Sequence, residues 1–266
     1  MPNEGHADCC VRSSMNRGTA VLLAFGCLAG LSVQGLAGAP APAVPASPSE
    51  YVAVERFLAD IEKPPVANQA RRRLEASSVK LNESAWMEAV TQYDPTRGFT
   101  YSIVAQGGSE RILRRVLKAV LKAEQENSTR EEWHKGNLSH ANYEFGFGGR
   151  AGNGMLKMQL TPRRRDSRLV LGSALLTAKS GNLVRVEGRL SKSPSIWVRS
   201  VNVSRTYSPI AGLMMPVEIE SIADVRIAGM SKFWMTYDYD MVNGHAVNSS
   251  PAFARNTDRF GAAGPR

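Results

Sequence analysis

Few side chains in this sequence stand at the spacings that chemistry needs. His134 and His140 lie six residues apart in a polar stretch, and His245 follows about a hundred residues later. With no cysteine nearby and no His-x-x-x-His pair for one helix face, they do not make a metal site. "YEFGFGGRAGNG" (143–154) is rich in glycine but lacks the Gly-Lys-Ser/Thr ending of a phosphate cradle, and it opens no helix. It reads as a hairpin turn. Serines are plentiful, yet no Gly-x-Ser-x-Gly elbow exposes one as a nucleophile. Asp238 and Asp240 point to one face of an alternating segment, a pairing that acid–base chemistry can use. They read instead as the wet side of an edge strand. "TPRRRDSR" (161–168) has a basic tip that suits either an anion contact or a solvated connection. No catalytic residue, metal ligand or cofactor is assigned, and the chain is expected not to be an enzyme.

The residues ahead of the fold carry their own signal. Arg12 and Arg17 precede the uncharged run "TAVLLAFGCLAGLSVQGLAGA" (19–39), and "PAPAVPASPSE" follows. This is the order of a secretory signal peptide, with cleavage expected after Ala43 or Ala46. A membrane anchor is the rival, since the run is long enough to span, but no basic stop-transfer cluster follows it. Cys9, Cys10 and Cys27 all lie in this leader, so the mature chain would carry no cysteine. "AFGC" around Cys27 lacks the leucine and the small residue of a lipidation site. The expected destination is the periplasm. Of the 266 residues 43% are apolar, enough for one substantial core, and the net charge is +9. The leader's charges cancel, so the whole excess belongs to the exported part. Scattered basic residues without a binding motif exclude a nucleic-acid partner, while a basic surface can favour anionic lipid.

Chain periodicity defines the supporting elements. Ser47-Pro48-Ser49 caps a helix with Val54, Phe57, Leu58 and Ile61 on one face, stopped by Pro64-Pro65. Period-two alternation then predicts strands near 70–81, 84–94 and 98–105, with "DPTRG" as a turn. Ser109 caps a second helix whose stripe is Ile112, Leu113, Val116, Leu117, Val120 and Leu121. Its other face is basic, either solvated over a sheet or lying on a membrane surface. Residues 129–141 read as a loop or ragged helix. From 143 onward the chain is strand-like, and in "SKFWMTYDYDMV" Phe233, Met235, Tyr237, Tyr239 and Met241 share a face. About nine to eleven antiparallel strands and two helices make one α+β domain. The expected division is 1–46 leader, 47–245 domain, and 246–266 tail without periodicity.

At "YEFGFGGRAGNGMLKMQLTPRRRDSRLVLGSALLTAKSGNLVRVEG" the sequence resembles the outer-membrane lipoprotein sorting proteins, the LolA/LppX/RseB-like superfamily of bacterial exported proteins. The carriers of the likeness are Leu160-Thr161-Pro162, Arg163 to Arg165, and Leu183 to Glu187, with "MPVEIES" and "WMTYDYDMVNG" resembling the closing strands. The resemblance implies a strongly curved antiparallel sheet, an unclosed half-barrel, with helices covering its concave face. It also implies a space between sheet and helices that accepts acyl chains. The residues expected to line it are Phe145, Phe147, Leu156, Met158, Val184, Val186, Met215, Val217, Phe233, Met235 and Tyr237, with Ile112, Val116 and Val120 as a lid. The same side chains would serve equally as a filled core. Two functions follow: a periplasmic carrier of lipid or lipoprotein acyl chains, or a non-enzymatic envelope interaction or sensor module on the same scaffold with its interior filled.

Overall fold

A computed structural model describes residues 47–128 and 130–247. The leader, with its cleavage sites and Cys27, and residues 248–266 lie outside the described residues. Helix α1 spans Pro48–Asp60. Strands β1 Asn68–Ser78, β2 Glu83–Asp94 and β3 Gly98–Gly108 follow. A continuous helix, α2, runs over residues 110–126, and a short α3 covers Arg130–His134. Seven strands then meander: β4 Tyr143–Ala151, β5 Met155–Pro162, β6 Val170–Thr177, β7 Leu183–Leu190, β8 Val198–Ile210, β9 Leu213–Val225 and β10 Gly229–Val242. The two-residue β11, His245–Ala246, pairs back on β10.

All pairings are antiparallel, and the order β3-β2-β1-β10-β9-β8-β7-β6-β5-β4 leaves β3 and β4 as free edges. The sheet is thus an unclosed half-barrel. The segment holding α2 and α3 carries the chain from one edge to the other.

Local chemistry fixes the hairpins. Asp94 Oδ1 accepts the Thr96 and Arg97 amides at 2.8 and 3.0 Å, and Gly98 follows with φ 80°. This closed Asx turn sets the β2–β3 register. In α2, the Ser109 hydroxyl accepts the Ile112 amide at 3.4 Å. Its predicted stripe is the buried face, with Leu113, Leu117 and Leu121 fully covered and Val116 and Val120 half-buried. The turn at Leu113–Leu117 is a π-helix.

Three sequence expectations are corrected. Asp238 and Asp240 are not on an edge strand, because β10 is central, between β1 and β9. Asp238 is buried and faces Arg71 at 3.6 Å, with Asp240 at 3.5 Å from the same guanidinium. The β10 alternation also breaks: a bulge opposite Gln69/Ala70 turns Met241 outward and buries Val242 in its place. Finally, the tail does not begin at 246, since Ala246 is paired with Met241.

Of the arginines of 161–168, Arg163 and Arg164 are exposed, as a solvated connection requires, yet both are engaged by protein groups, as is the half-buried Arg168. Arg163 donates to the His140 and Tyr143 carbonyls, Arg164 to Asn142 Oδ1, and Arg168 to Asp166 and Glu132. Together they strap the irregular segment 132–144 to the β5–β6 end of the sheet.

Candidate functional site

Thirteen of the fourteen expected lining residues are gathered, but into two separate apolar clusters and not into one cavity. Phe145, Phe147, Leu156, Met158 and Val186 pack with Ala53 and Phe57 of α1. Met215, Val217, Phe233, Met235 and Tyr237 pack with Ile112, Val116 and Val120 of α2. Val184 is half-buried and belongs to neither cluster. Each helix therefore seals its own apolar patch, and the middle of the face lies between them.

The strand register shows what occupies that middle. Directly opposed residues of neighbouring strands share a face. One row across the sheet reads Met87, Leu74, Met235, Ile219, Arg205, Val186, Ala174, Met158, Phe147. Eight of these nine side chains are apolar, and the ninth is the Arg205 guanidinium at the centre. The next row reads Phe233, Ser221, Val203, Gly188, Gly172, Leu160, Phe145. Its middle four residues are small, so a shallow trough runs beside Arg205 between bulky ends. Gly172 has no alternative there: a Cβ would sit 2.0 Å from the Glu187 carbonyl oxygen.

Arg205 is exposed, although many protein atoms surround its guanidinium, which hydrogen-bonds the Tyr207 side chain. It stands where neither helix covers the face. Tyr207 raises the guanidinium pKa further, outweighing the desolvation that opposes it, and Tyr237 and Glu124 act from farther away. Among the described residues Arg205 has no carboxylate within ion-pair distance.

A second cation stands one row over. Arg72 is buried, bonded to Glu124 of α2 at 2.6 Å, and lies over the rings of Phe99 at 4.8 Å and Tyr237 at 4.5 Å. Burial works to lower its pKa, but Glu124 outweighs that. Desolvation pushes the Tyr237 phenol up to about 12, so it stays neutral and can only donate or accept hydrogen bonds. Two guanidiniums and one carboxylate leave this part of the face with an unbalanced positive charge.

The other face holds a feature that sequence reasoning missed. A broad open groove of about 670 Å³ crosses β5 to β9, lined by Lys157, Gln159, Ser173, Glu187, Arg189 and Asn202 among others. Its charged side chains are of mixed sign, and Leu160, Leu171, Val203 and Ile222 add apolar surface between them. That suits an extended partner that brings both polar and apolar side chains. The only sequence signal was the pair of glycines, Gly172 and Gly188, at its floor. His134 and His140 are not gathered with other ligating groups; His140 Nδ1 is 3.0 Å from Glu62. Among the described residues no three His, Cys, Asp or Glu side chains cluster as a metal site, and no helix is long and apolar enough to cross a membrane.

No family model matches the chain, and no curated protein is significantly similar to it. Among solved structures it is similar to a LolA superfamily protein from Nitrosomonas europaea, at 12% identity and a TM-score of 0.34, over 71% of this chain and 90% of that one. It is also similar to a DUF1329 family protein from Desulfovibrio piger, at 8% identity and a TM-score of 0.34, over 79% and 98%. The first is of the superfamily that the sequence resembles. At these values no residue or ligand of either protein transfers to this chain.

Proposed function

We propose that the protein is an exported, non-enzymatic binding protein of the cell envelope that carries an amphiphile, a lipid or lipoprotein acyl chain. The apolar chain lies along the small-residue trough between the two helices, and its anionic head meets Arg205. The observation that carries the proposal is Arg205 itself: an uncovered cation, without a counter-ion among the described residues, in the middle of an apolar row. Each methylene moved from water onto this face contributes about 0.8 kcal/mol. The cost of ordering a flexible chain opposes that gain. A charge-assisted bond to the guanidinium then selects among amphiphiles of equal length.

Native mass spectrometry of protein purified from its envelope should show a bound lipid. Displacement of a fluorescent fatty acid should show palmitate binding at least about tenfold tighter than hexadecanol, the preference that one charged hydrogen bond supplies. Arg205→Met should erase the preference, and Ile219→Arg, at the half-buried seam, should abolish binding of both. Ligand-free protein that takes up neither compound would overturn the proposal.

The outer groove favours a second reading, an envelope interaction or sensor module. One stoichiometric protein partner, lost on Glu187→Arg and indifferent to Arg205→Met, would support that reading over the first.

A further inference from the structure

One end of the sheet differs from the other. The turns 79–82, 191–197 and 226–228 adjoin there, because Ser78 pairs with Ser231 and Val198 with Val225. They are tied together: the Ser78 hydroxyl donates to the Ala228 carbonyl at 2.8 Å, and the Arg226 amide to the Trp197 carbonyl at 2.8 Å. At this joined tip Val79 is 75% exposed, Ile196 77%, Trp197 43%, Ile227 62% and Met230 52%. Single exposed apolar residues are ordinary, but four on three adjoining turns, with Met230 at the start of β10 beside them, are a patch that a water-soluble surface does not need.

Lys80, Lys192, Arg226 and Lys232 are interleaved with them, all exposed, and none is in an ion pair among the described residues. The neighbouring Asp224 is already occupied by Arg199 at 3.3 Å. The turns at the opposite end, 95–97, 211–212 and 243–244, carry Pro-Thr-Arg, Ala-Gly and Asn-Gly, with no large apolar residue in the turns themselves; the exposed apolar residues beside them are Leu213 (38%) and Met241 (41%).

We propose that this tip docks on an anionic lipid surface, its apolar side chains entering the boundary between headgroups and acyl chains while the four cations meet the phosphates. Two weak signals on one face, apolar insertion and basic attraction, are what reversible surface binding requires. An indole at the edge of such a patch suits the headgroup level. A protein partner would fit the apolar side chains but gives no account of four uncompensated cations around them. The proposal is independent of the interior site, which lies on the face and not at the end of the sheet.

The test is co-sedimentation of the purified protein with phosphatidylcholine vesicles with and without phosphatidylglycerol. Wild type should partition onto the phosphatidylglycerol vesicles and lose that binding at high salt. The double variant Ile196→Ser/Ile227→Ser should bind at least about tenfold more weakly. Lys80→Gln and Arg226→Gln should each weaken binding about fivefold. All four positions are exposed, so unchanged thermal unfolding and unchanged fatty-acid uptake separate lost docking from lost folding. Indifference to both vesicles, equal binding to phosphatidylcholine alone, or binding that the variants leave intact would each overturn the proposal.

Discussion

The pairing of Arg72 with Glu124 predicts an asymmetry that can be measured without any ligand. Arg72 is only 5% exposed, whereas the Glu124 side chain is 38% exposed, at an N–O distance of 2.6 Å. Removing one member of a fully buried pair costs about 3–5 kcal/mol, because the other charge is left unpaired away from water. Glu124→Ala leaves the guanidinium stranded between Phe99 and Tyr237, with its Nε already unpartnered. Some water reaches the Glu124 end, so the expected loss is discounted to about 2–3 kcal/mol. Arg72→Met keeps the apolar stem in place and frees Glu124 to turn to solvent. It forfeits two ring contacts of about 0.5–1 kcal/mol each, but it also removes a buried cation. Its expected cost is about 1 kcal/mol. The double variant should therefore be more stable than Glu124→Ala alone. Urea unfolding followed by circular dichroism reads all four proteins. A double variant less stable than either single would show that the pair is a net stabiliser, and that burial of Arg72 carries no penalty of the size argued.

Two further predictions concern the frame. Leu117, at the π turn of α2 and wholly buried, should cost about 2–5 kcal/mol on truncation to alanine; the urea midpoint should fall with no change in the slope. The Asp94 carboxyl is held down to about 2, below its ordinary 3.8, first by the Thr96 hydroxyl and then by the Thr96 and Arg97 amides. A carboxyl lowered in the folded state adds stability above its unfolded pKa, and that stability fades as the pH falls from 3.8 towards 2. NMR titration of Asp94 should find its midpoint in the lower part of that window, with the Thr96 amide losing exchange protection in parallel. A midpoint at 3.8 would mean that the turn does not hold the carboxylate.

What the sequence disclosed followed from periodicity. Alternation placed Met87, Ala89 and Thr91 on one face, and the stripe of α2 was read residue by residue, because burial on one side leaves that mark on any sheet or amphipathic helix. The same pattern cannot say which buried residue meets which. Phe147 and Met215 have equal claims to a core, and only the strand order puts one under α1 and the other under α2. A bulge leaves no trace in an alternating run, so Met241 and Val242 exchanged places without warning. The Arg205 signal was present all along. In "SVNVSRTY" the residues Val201, Val203, Arg205 and Tyr207 share one parity, and a charge in that apolar series marks a place where the face is not sealed. Beyond Gly172 and Gly188 the outer groove left no mark, because solvated residues such as Gln159 and Asn202 look the same on a flat sheet as on a folded one.

Arg205 stands where the two helix-covered patches fail to meet, and its charge opposes their joining. Closing the gap would take a guanidinium out of water with no carboxylate to receive it, at a cost of several kcal/mol. Joining two apolar patches across so narrow a seam recovers little by comparison. On the proposed reading, a ligand that supplies the missing anion removes the obstacle to covering this seam. Along β8 the chain runs from Arg205 through Val203 and Val201 to Trp197 at the apolar tip. An amphiphile drawn from a lipid surface at that tip would meet small and apolar side chains along this line and reach its counter-charge at the centre of the sheet. Binding is then favoured in proportion to the ligand's charge at neutral pH. For a fatty acid, affinity should fall as its own carboxyl becomes protonated, since Arg205 remains charged throughout.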